Sequence, residues 1–272
     1  MKVLVTGSTG FLGSEVVRLL RQQDVEVFAV ARRHSPSTVN CELNDLEFVF
    51  RLLEDAHPDA IINCAAQVDW GQNRLSELFT VNALVPGIMA DWCKSNGAYL
   101  LQVSGTLVYG SVATHVDQSL TEAPDTDYGR SKLLADQMIQ ASGASAGIIR
   151  FGGIFGKDGP EHLGINRAIR LARSGELPTL TGKGNARRNY IHVTDAAERL
   201  VFCVLNRLQG IHLAGGSQVL SIADMLQQIC DVYLEGKQPI VIDGNEALDQ
   251  VIIGSSALPG GHPFKESLLI EL

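Results

Sequence analysis

The sequence predicts an α/β protein with a doubly wound parallel sheet and a smaller C-terminal lobe. Two observations lead to this fold class. Short apolar runs typical of buried strands alternate over residues 1–150 with segments whose apolar residues recur at helical spacing, the pattern of a parallel sheet covered by helices. Beyond residue 150 this alternation loosens and glycines become frequent. We therefore place the first domain at 1–150 and assign 151–272 mainly to a second lobe, with about 189–214 returning to the first domain.

The first strand, turn and helix carry three spaced glycines. Val3-Leu4-Val5 predicts a buried strand, and Gly7, Gly10 and Gly13 follow it just before a helical pattern begins. Gly7 allows a tight turn, Gly10 lets the backbone approach a pyrophosphate, and Gly13 lets the helix pack closely on the strand. Because a helix N-terminus offers free N–H groups and the positive end of its dipole, this unit predicts a Rossmann-like dinucleotide-binding domain. The expected contacts are Gly7, Thr9, Gly10, Phe11, Leu12 and Gly13.

The end of the second predicted strand indicates which dinucleotide is bound. Residues 25–30 alternate like a strand and lead into Arg32 and Arg33. In NAD-binding folds an acidic residue near this position takes the ribose hydroxyls, whereas an arginine accommodates the 2′-phosphate of NADP. No carboxylate stands at this strand end, so the two arginines favour NADP(H). NAD(H) stays possible if both arginines form only a solvated strand end.

Composition and charge exclude several classes of function. A formal net charge of −8 and a pI near 5.3 argue against a nucleic-acid binder that works through bulk electrostatics. No apolar run approaches membrane-spanning length, and Met1 leads into the first strand without the apolar segment of a signal peptide, so we expect a cytoplasmic protein with no membrane partner. Five cysteines without C-x-x-C spacing indicate buried thiols in a reducing compartment and no metal site.

Tyr128 and Lys132 are the first candidates for chemistry. They stand four residues apart on a predicted helix, so their side chains share one face. A nearby ammonium stabilises a phenolate, and a positive nicotinamide ring would add to this, so we expect the pKa of Tyr128 to be lowered towards working pH. The tyrosine could then give or take a proton as hydride moves. The alternative is a tyrosine on a helix surface.

The pair belongs to a longer, ordered set of motifs. The set comprises Gly7-x-x-Gly10-x-x-Gly13, Asn63-Cys64-Ala65-Ala66, Asn82, Val108-Tyr109-Gly110, Tyr128-x-x-x-Lys132 and Arg-Asn-Tyr-Ile-His-Val at 188–193. It resembles the extended short-chain dehydrogenase/reductases that act on nucleotide sugars, the NAD-dependent epimerase/dehydratase family. The resemblance runs from Met1 to about Ser221, and residues 63–69 and 210–215 are most similar to the dTDP-4-dehydrorhamnose reductase branch.

The resemblance implies roles for residues of the first domain. Tyr128 would be the general acid/base, Lys132 would also bond the nicotinamide ribose, and Asn82 would hold a structural water in the proton relay. The other implied cofactor contacts are Glu42 and Leu43 near the adenine and, at a strand end that must allow close approach, the small residues Cys64, Ala65 and Ala66.

Arginines are the expected substrate contacts. Arg188 matches the arginine that meets the diphosphate of the sugar nucleotide, and Arg150 is a further candidate. Arg167 lies with Arg170 and Arg173 on a basic helix of the smaller lobe, where the family binds this diphosphate, so we expect a C-terminal substrate-binding lobe. The alternative is a solvated basic helix face.

One position departs from the family pattern. The catalytic Ser or Thr of the family stands four residues before the tyrosine of Val108-Tyr109-Gly110, where this chain has Gly105. Glycine has no side chain with which to hydrogen-bond a substrate carbonyl. Either Thr106 or Ser104 supplies the hydroxyl, or the site lacks that donor. Loss of such a donor typically costs about 10²-fold or more in rate.

The expected function is NADPH-dependent reduction of a keto group on a nucleotide-activated sugar, with Tyr128 as general acid. Leu107-Val108 stands where sugar dehydratases of the family have Asp-Glu, which disfavours elimination of water. Arg32 favours an exchangeable NADPH over the tightly held NAD of epimerases. A nucleotide-sugar epimerase and a cofactor-binding regulator without turnover stay as alternatives. The resemblance also implies a possible homodimer through predicted helices at 76–94 and 127–142.

Overall fold

A computed structural model describes residues 1–32, 38–68 and 75–270. The strands in chain order are β1 (Lys2–Thr6), β2 (Glu26–Ala31), β3 (Val39–Asn40), β4 (Ala60–Asn63), β5 (Tyr99–Gly105), β6 (His115–Val116), β7 (Ser145–Phe151), β8 (Ile154–Phe155), β9 (Thr179–Thr181), β10 (Arg187–Arg188), β11 (Ile191–His192), β12 (Gly210–Ala214), β13 (Leu220–Ser221), β14 (Ile240–Ile242) and β15 (Val251–Ile252). The helices are α1 (Phe11–Leu20), α2 (Leu46–Ala56), α3 (Leu75–Phe79), α4 (Val85–Asn96), α5 (Asp127–Ser142), α6 (Gly164–Arg173), α7 (Val193–Asn206), α8 (Ile222–Tyr233) and α9 (Phe264–Leu269).

Seven strands form one sheet in the order β12-β7-β5-β4-β1-β2-β3. β1 pairs in parallel with both β2 and β4, and Thr6 at its end lies in register with Asn63. The chain therefore leaves β1 in one direction to build β2 and β3, and in the other to build β4 and β5. In such sheets ligands bind outside the carboxyl ends of the strands where the order reverses. The predicted doubly wound, Rossmann-like α/β fold is confirmed.

Helix boundaries follow local capping signals. The Asp45 side chain accepts from the N–H of Phe48 at 3.0 Å and caps α2, whereas His57 ends that helix in the left-handed region. α5 spans the predicted residues 127–142. The long helix predicted at 76–94 is instead divided: a π-helical turn, Thr80–Leu84, joins α3 to α4. Such turns are frequent at functional sites, and this one contains Asn82.

The chain divides into two compact units. The first, which we call the sheet unit, comprises Met1–Ser111, Leu120–Arg150 and Ala197–His212. The second, the C-terminal unit, comprises Val112–Ser119, Phe151–Ala196 and Leu213–Leu272.

Each unit has its own apolar core. In the sheet unit, strand residues pack against α2 and α4, and the fully buried members include Leu4, Ile61, Leu100, Val49 and Met89. In the C-terminal unit the core joins α6, α8 and α9 and includes Phe155, Ile169, Ile229 and Leu268. The stretch after 238 contains β14, β15 and α9. Within the described ranges, no helix is long and apolar enough to cross a membrane.

Candidate active site

Close backbone packing shapes the glycine loop between β1 and α1. Gly7 has a φ of +62°, and a Cβ there would lie 2.9 Å from the amide nitrogen of Ala65. The N–H of Gly10 donates to the carbonyl of Gly7 at 2.9 Å. A Cβ on Gly13 would lie only 2.2 Å from that same carbonyl oxygen. A side chain at Gly13 would push α1 away from the loop, as the sequence predicts, and one at Gly7 would meet the segment that follows β4.

The N-terminus of α1 is suited to an anionic group. No side chain caps this helix at Gly10, so the N–H groups of the first turn keep their hydrogen-bonding capacity. Phe11 and Leu12 are half-buried, and Thr9 is exposed beside them. With the positive end of the helix dipole, this arrangement fits the pyrophosphate of a dinucleotide.

Ser8 holds the loop against β2 and was not singled out from the sequence. Its N–H and its hydroxyl both donate to the carbonyl of Val30, at 3.1 and 2.9 Å. Arg32 follows β2 directly and is exposed. Arg33 lies outside the described residues. On the neighbouring segment after β3, Glu42 is exposed and Leu43 packs against the core of the sheet unit.

Three buried neutral side chains connect the ends of β1 and β4 to the middle of β5. The Thr6 hydroxyl donates to the Asn63 side chain at 2.5 Å, and Asn63 donates to the Gln102 side chain at 2.8 Å. We call these three residues the neutral relay. The N–H of Ala65 also donates to the Thr6 hydroxyl, at 3.3 Å, which fixes the start of the Cys64, Ala65 and Ala66 segment. A sequence signal for this relay was available, because Thr6, Asn63 and Gln102 are polar residues at or near the ends of otherwise apolar strands.

The cysteines fit the expected pattern of unpaired thiols. All five are free; Cys64 is half-buried and the other four are buried. Burial raises the pKa of Cys64 to about 12, so this thiol is neutral at physiological pH. Cys64 therefore offers a small neutral side chain at the end of β4.

Gly129 and Thr126 place the start of α5. The Thr126 side chain accepts from the N–H of Gly129 at 3.1 Å and caps the helix. A Cβ on Gly129 would lie 2.5 Å from the carbonyl oxygen of Leu107, so only glycine lets α5 approach this closely. The approach places Tyr128 beside the short 3₁₀ helix Thr106–Tyr109. Tyr128 is half-buried, and its hydroxyl makes no hydrogen bond to any described residue.

Lys132 lies one turn further along α5 and is buried. Its Nζ donates to the carbonyl of Val103 at 2.5 Å, and the Gln102 side chain donates to the same carbonyl at 3.0 Å. The neutral relay and Lys132 therefore meet at the end of β5. Burial lowers the pKa of Lys132 to about 8.

Burial raises the pKa of Tyr128 to about 12 in the protein alone. A phenolate placed away from water is costly, and this cost opposes the lowering expected from the Lys132 ammonium. The tyrosine therefore keeps its proton at neutral pH. The lowering of the Tyr128 pKa beside a nicotinamide ring stays a prediction.

The two hydroxyls that flank Gly105 have different surroundings. Ser104 is buried and donates to a carboxylate oxygen of Asp136 at 3.1 Å. Thr106 is 5% exposed, and its hydroxyl makes no hydrogen bond within the described part of the chain. Thr106 is therefore the hydroxyl that is free to meet a ligand, whereas Ser104 is already engaged.

Asn82 bonds the chain around it. Its Oδ1 accepts from the N–H of Gln67 at 2.8 Å, and its Nδ2 donates to the carbonyl of Gln67 at 2.8 Å and to the Ser131 hydroxyl at 3.1 Å. Ser131 in turn donates to the carbonyl of Tyr128 at 2.8 Å. Asn82 thus links the segment after β4 to the first turns of α5. Its expected water contact stays a prediction, with an Oδ1 lone pair to accept it.

Arg150 lies in a buried ion-pair network, which does not support its assignment as a substrate contact. Its Nε donates to Asp136 at 2.9 Å, and one Nη donates to the Tyr109 hydroxyl at 2.6 Å and to Glu122 at 2.9 Å. The side chain of Arg150 is 2% exposed. Sequence reasoning missed both acidic partners, because Arg150 ends an apolar strand whose pattern does not show which groups surround it.

The other predicted substrate arginines lie in the C-terminal unit. Arg188 donates to the Gln250 side chain at 3.0 Å, while its buried Nε has no partner among the described residues. Arg167 is exposed on α6. A cavity of about 330 Å³ lies beside another part of α6 and is lined by Gly156, Lys157, Asp158, Gly159, Glu161, Asn166, Ile169, Arg170 and Arg173. Arg170 pairs with Glu161 at 2.7 Å, so its charge is partly balanced.

Known proteins resemble this chain over most of its length. The profile of the NAD dependent epimerase/dehydratase family matches residues 3–214. A probable low-salt glycan biosynthesis reductase of Haloferax volcanii is 29% identical over 251 residues, 85% of this chain and 80% of the relative. A dTDP-4-dehydrorhamnose reductase of Mycolicibacterium smegmatis is 29% identical over 176 residues, 62% of this chain and 50% of the relative. The structure of UDP-glucuronic acid 4-epimerase from Bacillus cereus with NAD has a TM-score of 0.83 at 19% identity, covering 98% and 96% of the two chains.

Proposed function

Because the chain belongs to the NAD dependent epimerase/dehydratase family, we propose that it reduces a keto group on a nucleotide-activated sugar with NADPH. Relatives at 29% identity include two reductases, one of which acts on a dTDP-linked dehydrosugar by its name. The observation that carries the proposal is the pairing of an unbonded, protonated Tyr128 hydroxyl with a buried Lys132 one helical turn away.

The residues at the end of β1 and β2 fit NADPH. The glycine loop and the uncapped start of α1 would hold the pyrophosphate, and Arg32 would meet the 2′-phosphate. When bound, NADPH supplies the hydride for the reduction. Glu42 and Leu43 would lie near the adenine, and the small Cys64, Ala65 and Ala66 would let the cofactor approach β4 closely.

Tyr128 would act as the general acid. Its pKa near 12 keeps the hydroxyl protonated at neutral pH, and it can still give this proton to a more basic sugar alkoxide. Lys132 would bond the nicotinamide ribose and stabilise the phenolate that proton donation leaves behind. Thr106 would donate to the substrate carbonyl in place of the side chain that Gly105 lacks.

NAD-dependent epimerisation is the second candidate, because the family to which the chain belongs includes epimerases. The raised pKa of Tyr128 does not separate the two reactions, since in both of them the same hydroxyl exchanges a proton with the sugar oxygen.

Substrate binding is assigned to the C-terminal unit. Arg188 keeps an unpartnered Nε donor that suits a diphosphate oxygen, and Arg167 is an exposed second cation. A cytoplasmic location and a homodimer stay predictions that accompany this proposal.

The direct test measures NADPH and NADH oxidation with a panel of 4-keto nucleotide sugars. We expect turnover with at least one of them and a preference for NADPH. Mass analysis of the purified protein separates the second candidate, because an epimerase should carry stoichiometric NAD and interconvert nucleotide sugars without added NADPH. No oxidation of NADPH with any member of the panel would contradict the proposal.

A further inference from the structure

A buried carboxylate extends the face of α5 that carries Tyr128 and Lys132. Asp136 follows Lys132 by four residues and Tyr128 by eight, so the three side chains lie along one side of the helix. Asp136 is 0% exposed and Lys132 is 2% exposed. Opposite charges thus stand one helical turn apart in the interior of the sheet unit.

The two oxygens of Asp136 have different surroundings. Oδ2 accepts from Arg150 at 2.9 Å and from Ser104 at 3.1 Å. Oδ1 is buried and has no hydrogen-bond partner among the described residues. A buried carboxylate oxygen without a donor is costly, so a donor is expected there. The Lys132 ammonium gives one N–H to Val103 and has further N–H groups to offer.

We propose that Asp136 is a positioning residue that keeps Lys132 charged and in place beside Tyr128, with its Oδ1 accepting from a water that the Lys132 ammonium also bonds. The role of Tyr128 and Lys132 in catalysis rests on the proposed function. The electrostatic coupling of Asp136 to Lys132 is independent of the proposed function.

The charges around Lys132 explain why Asp136 would control it. Lys132 and Arg150 carry two positive charges, and Asp136 and Glu122 carry two negative ones; we call these four residues the charge cluster. Ser131 on α5 and Asn82 on the π-helical turn are neutral. Among the described residues, the other ionisable groups around the cluster are Cys64 beside Lys132, Tyr109 against Arg150, and Tyr128; burial raises the pKa of Cys64 and Tyr128 to about 12.

Removal of Asp136 would leave an excess positive charge in the interior. Arginine does not release its proton in proteins, so Lys132 is the group that would respond. The sign is therefore fixed: without Asp136, the pKa of Lys132 falls, and the charged lysine persists only at lower pH.

The test titrates Lys132 itself by NMR, in full-length protein labelled with ¹³C at the lysine ε-carbons and assigned with Lys132→Met. We expect Asp136→Asn to move the Lys132 titration to lower pH by at least about one unit, a tenfold loss of proton affinity. Asp127→Asn is the matched control, because it removes a carboxylate of the same helix that pairs with Arg130 at the surface. It should move the titration by less than about 0.3 unit.

Two further variants keep the inference testable if Asp136→Asn folds poorly. Asp136→Glu retains the charge and should leave Lys132 near its original titration. The double variant Asp136→Asn/Arg150→Gln removes one charge of each sign. Its Lys132 titration should therefore return most of the way to the wild-type pH. The inference is overturned if Lys132 titrates within about 0.3 unit of the wild type in Asp136→Asn, or if the double variant shifts as far as the single one.

Kinetics then connect this coupling to the proposed function. In the NADPH-oxidation assay, kcat should fall above about pH 8 in the wild type, and Asp136→Asn should move this fall to lower pH. Ser104→Ala removes a hydrogen bond of Asp136 without removing its charge, so it should not change the pH at which kcat falls. Absence of NADPH oxidation in the wild type would count against the proposed function alone, because the NMR titration still decides the role of Asp136.

Discussion

The neutral relay and the charge cluster do similar structural work with different chemistry. Thr6 and Asn63 at the ends of β1 and β4 are joined to Gln102 of β5 through neutral hydrogen bonds. The charge cluster holds α5 against β7 through the buried Asp136–Arg150 ion pair and against β5 through hydrogen bonds of Lys132 and Asp136. The neutral contacts do not depend on pH in the moderate range, whereas the contacts of the cluster depend on proton occupancy. We expect variants in the two regions to differ in size and in pH dependence.

The largest expected effect on stability comes from the cluster. Arg150→Met leaves Asp136 buried without its cation and should lower the free energy of unfolding at pH 7 by about 3–5 kcal/mol. Because Asp136 can take up a proton in the folded variant, the deficit should shrink as the pH falls. Urea unfolding at pH 5 and pH 7 measures both.

Asn63→Ala makes the corresponding change in the neutral relay. It leaves Thr6 and Gln102 without partners and should cost about 1–3 kcal/mol. No titratable group is involved, so its deficit should be the same at both pH values. A pH-dependent deficit for Asn63→Ala, or a constant one for Arg150→Met, would remove the distinction between the two regions.

The next largest effect is expected from a change in the packing of the glycine loop. Gly13→Ala places a Cβ 2.2 Å from the Gly7 carbonyl oxygen and should cost about 1–3 kcal/mol while weakening NADPH binding at least tenfold. Gly164→Ala is the control, because a Cβ at this first residue of α6 meets no atom within 4 Å. Urea unfolding and NADPH fluorescence should show no loss for the control. Equal losses in both variants would mean that the close approach at Gly13 is not the cause.

The smallest effect concerns cofactor choice alone. Arg32→Asp replaces an exposed cation by the acidic residue typical of NAD binding, so stability should stay within about 0.5 kcal/mol. The ratio of the NADPH and NADH dissociation constants should move towards NADH by at least tenfold. An unchanged affinity for NADPH would show that Arg32 does not bind the 2′-phosphate.

Local patterns in the sequence were sufficient for part of this site. Spacing alone predicted the strand, glycine turn and helix at the N-terminus and the start of a helix at Tyr128–Lys132, because each depends on residues close together along the chain. The partners of Arg150 come from α5 and from the loop at Glu122, and no local pattern reports such long-range contacts. The upward effect of burial on the pKa of Tyr128 was not visible in the sequence for the same reason, since burial is set by the whole sheet unit.

The π-helical turn at Asn82 shows a different limit. Its apolar spacing is close enough to that of an α-helix that the sequence predicted one continuous helix. The turn is supported by the Asn82 contacts to Gln67 and Ser131, which join separate segments. Departures from regular helix of this kind depend on tertiary contacts, so they are visible in the structure and not in the sequence pattern.

The most direct measurement compares kcat for NADPH oxidation in the wild type and in Tyr128→Phe, with a 4-keto nucleotide sugar that the wild type reduces. Removal of the general acid should lower kcat by about 10²–10⁴-fold and leave NADPH affinity within about threefold. Tyr233→Phe, which removes a hydroxyl bonded to Leu268 in the C-terminal unit, should leave kcat unchanged. A kcat for Tyr128→Phe within twofold of the wild type would contradict the assignment of Tyr128 and the reading of α5 as the catalytic helix.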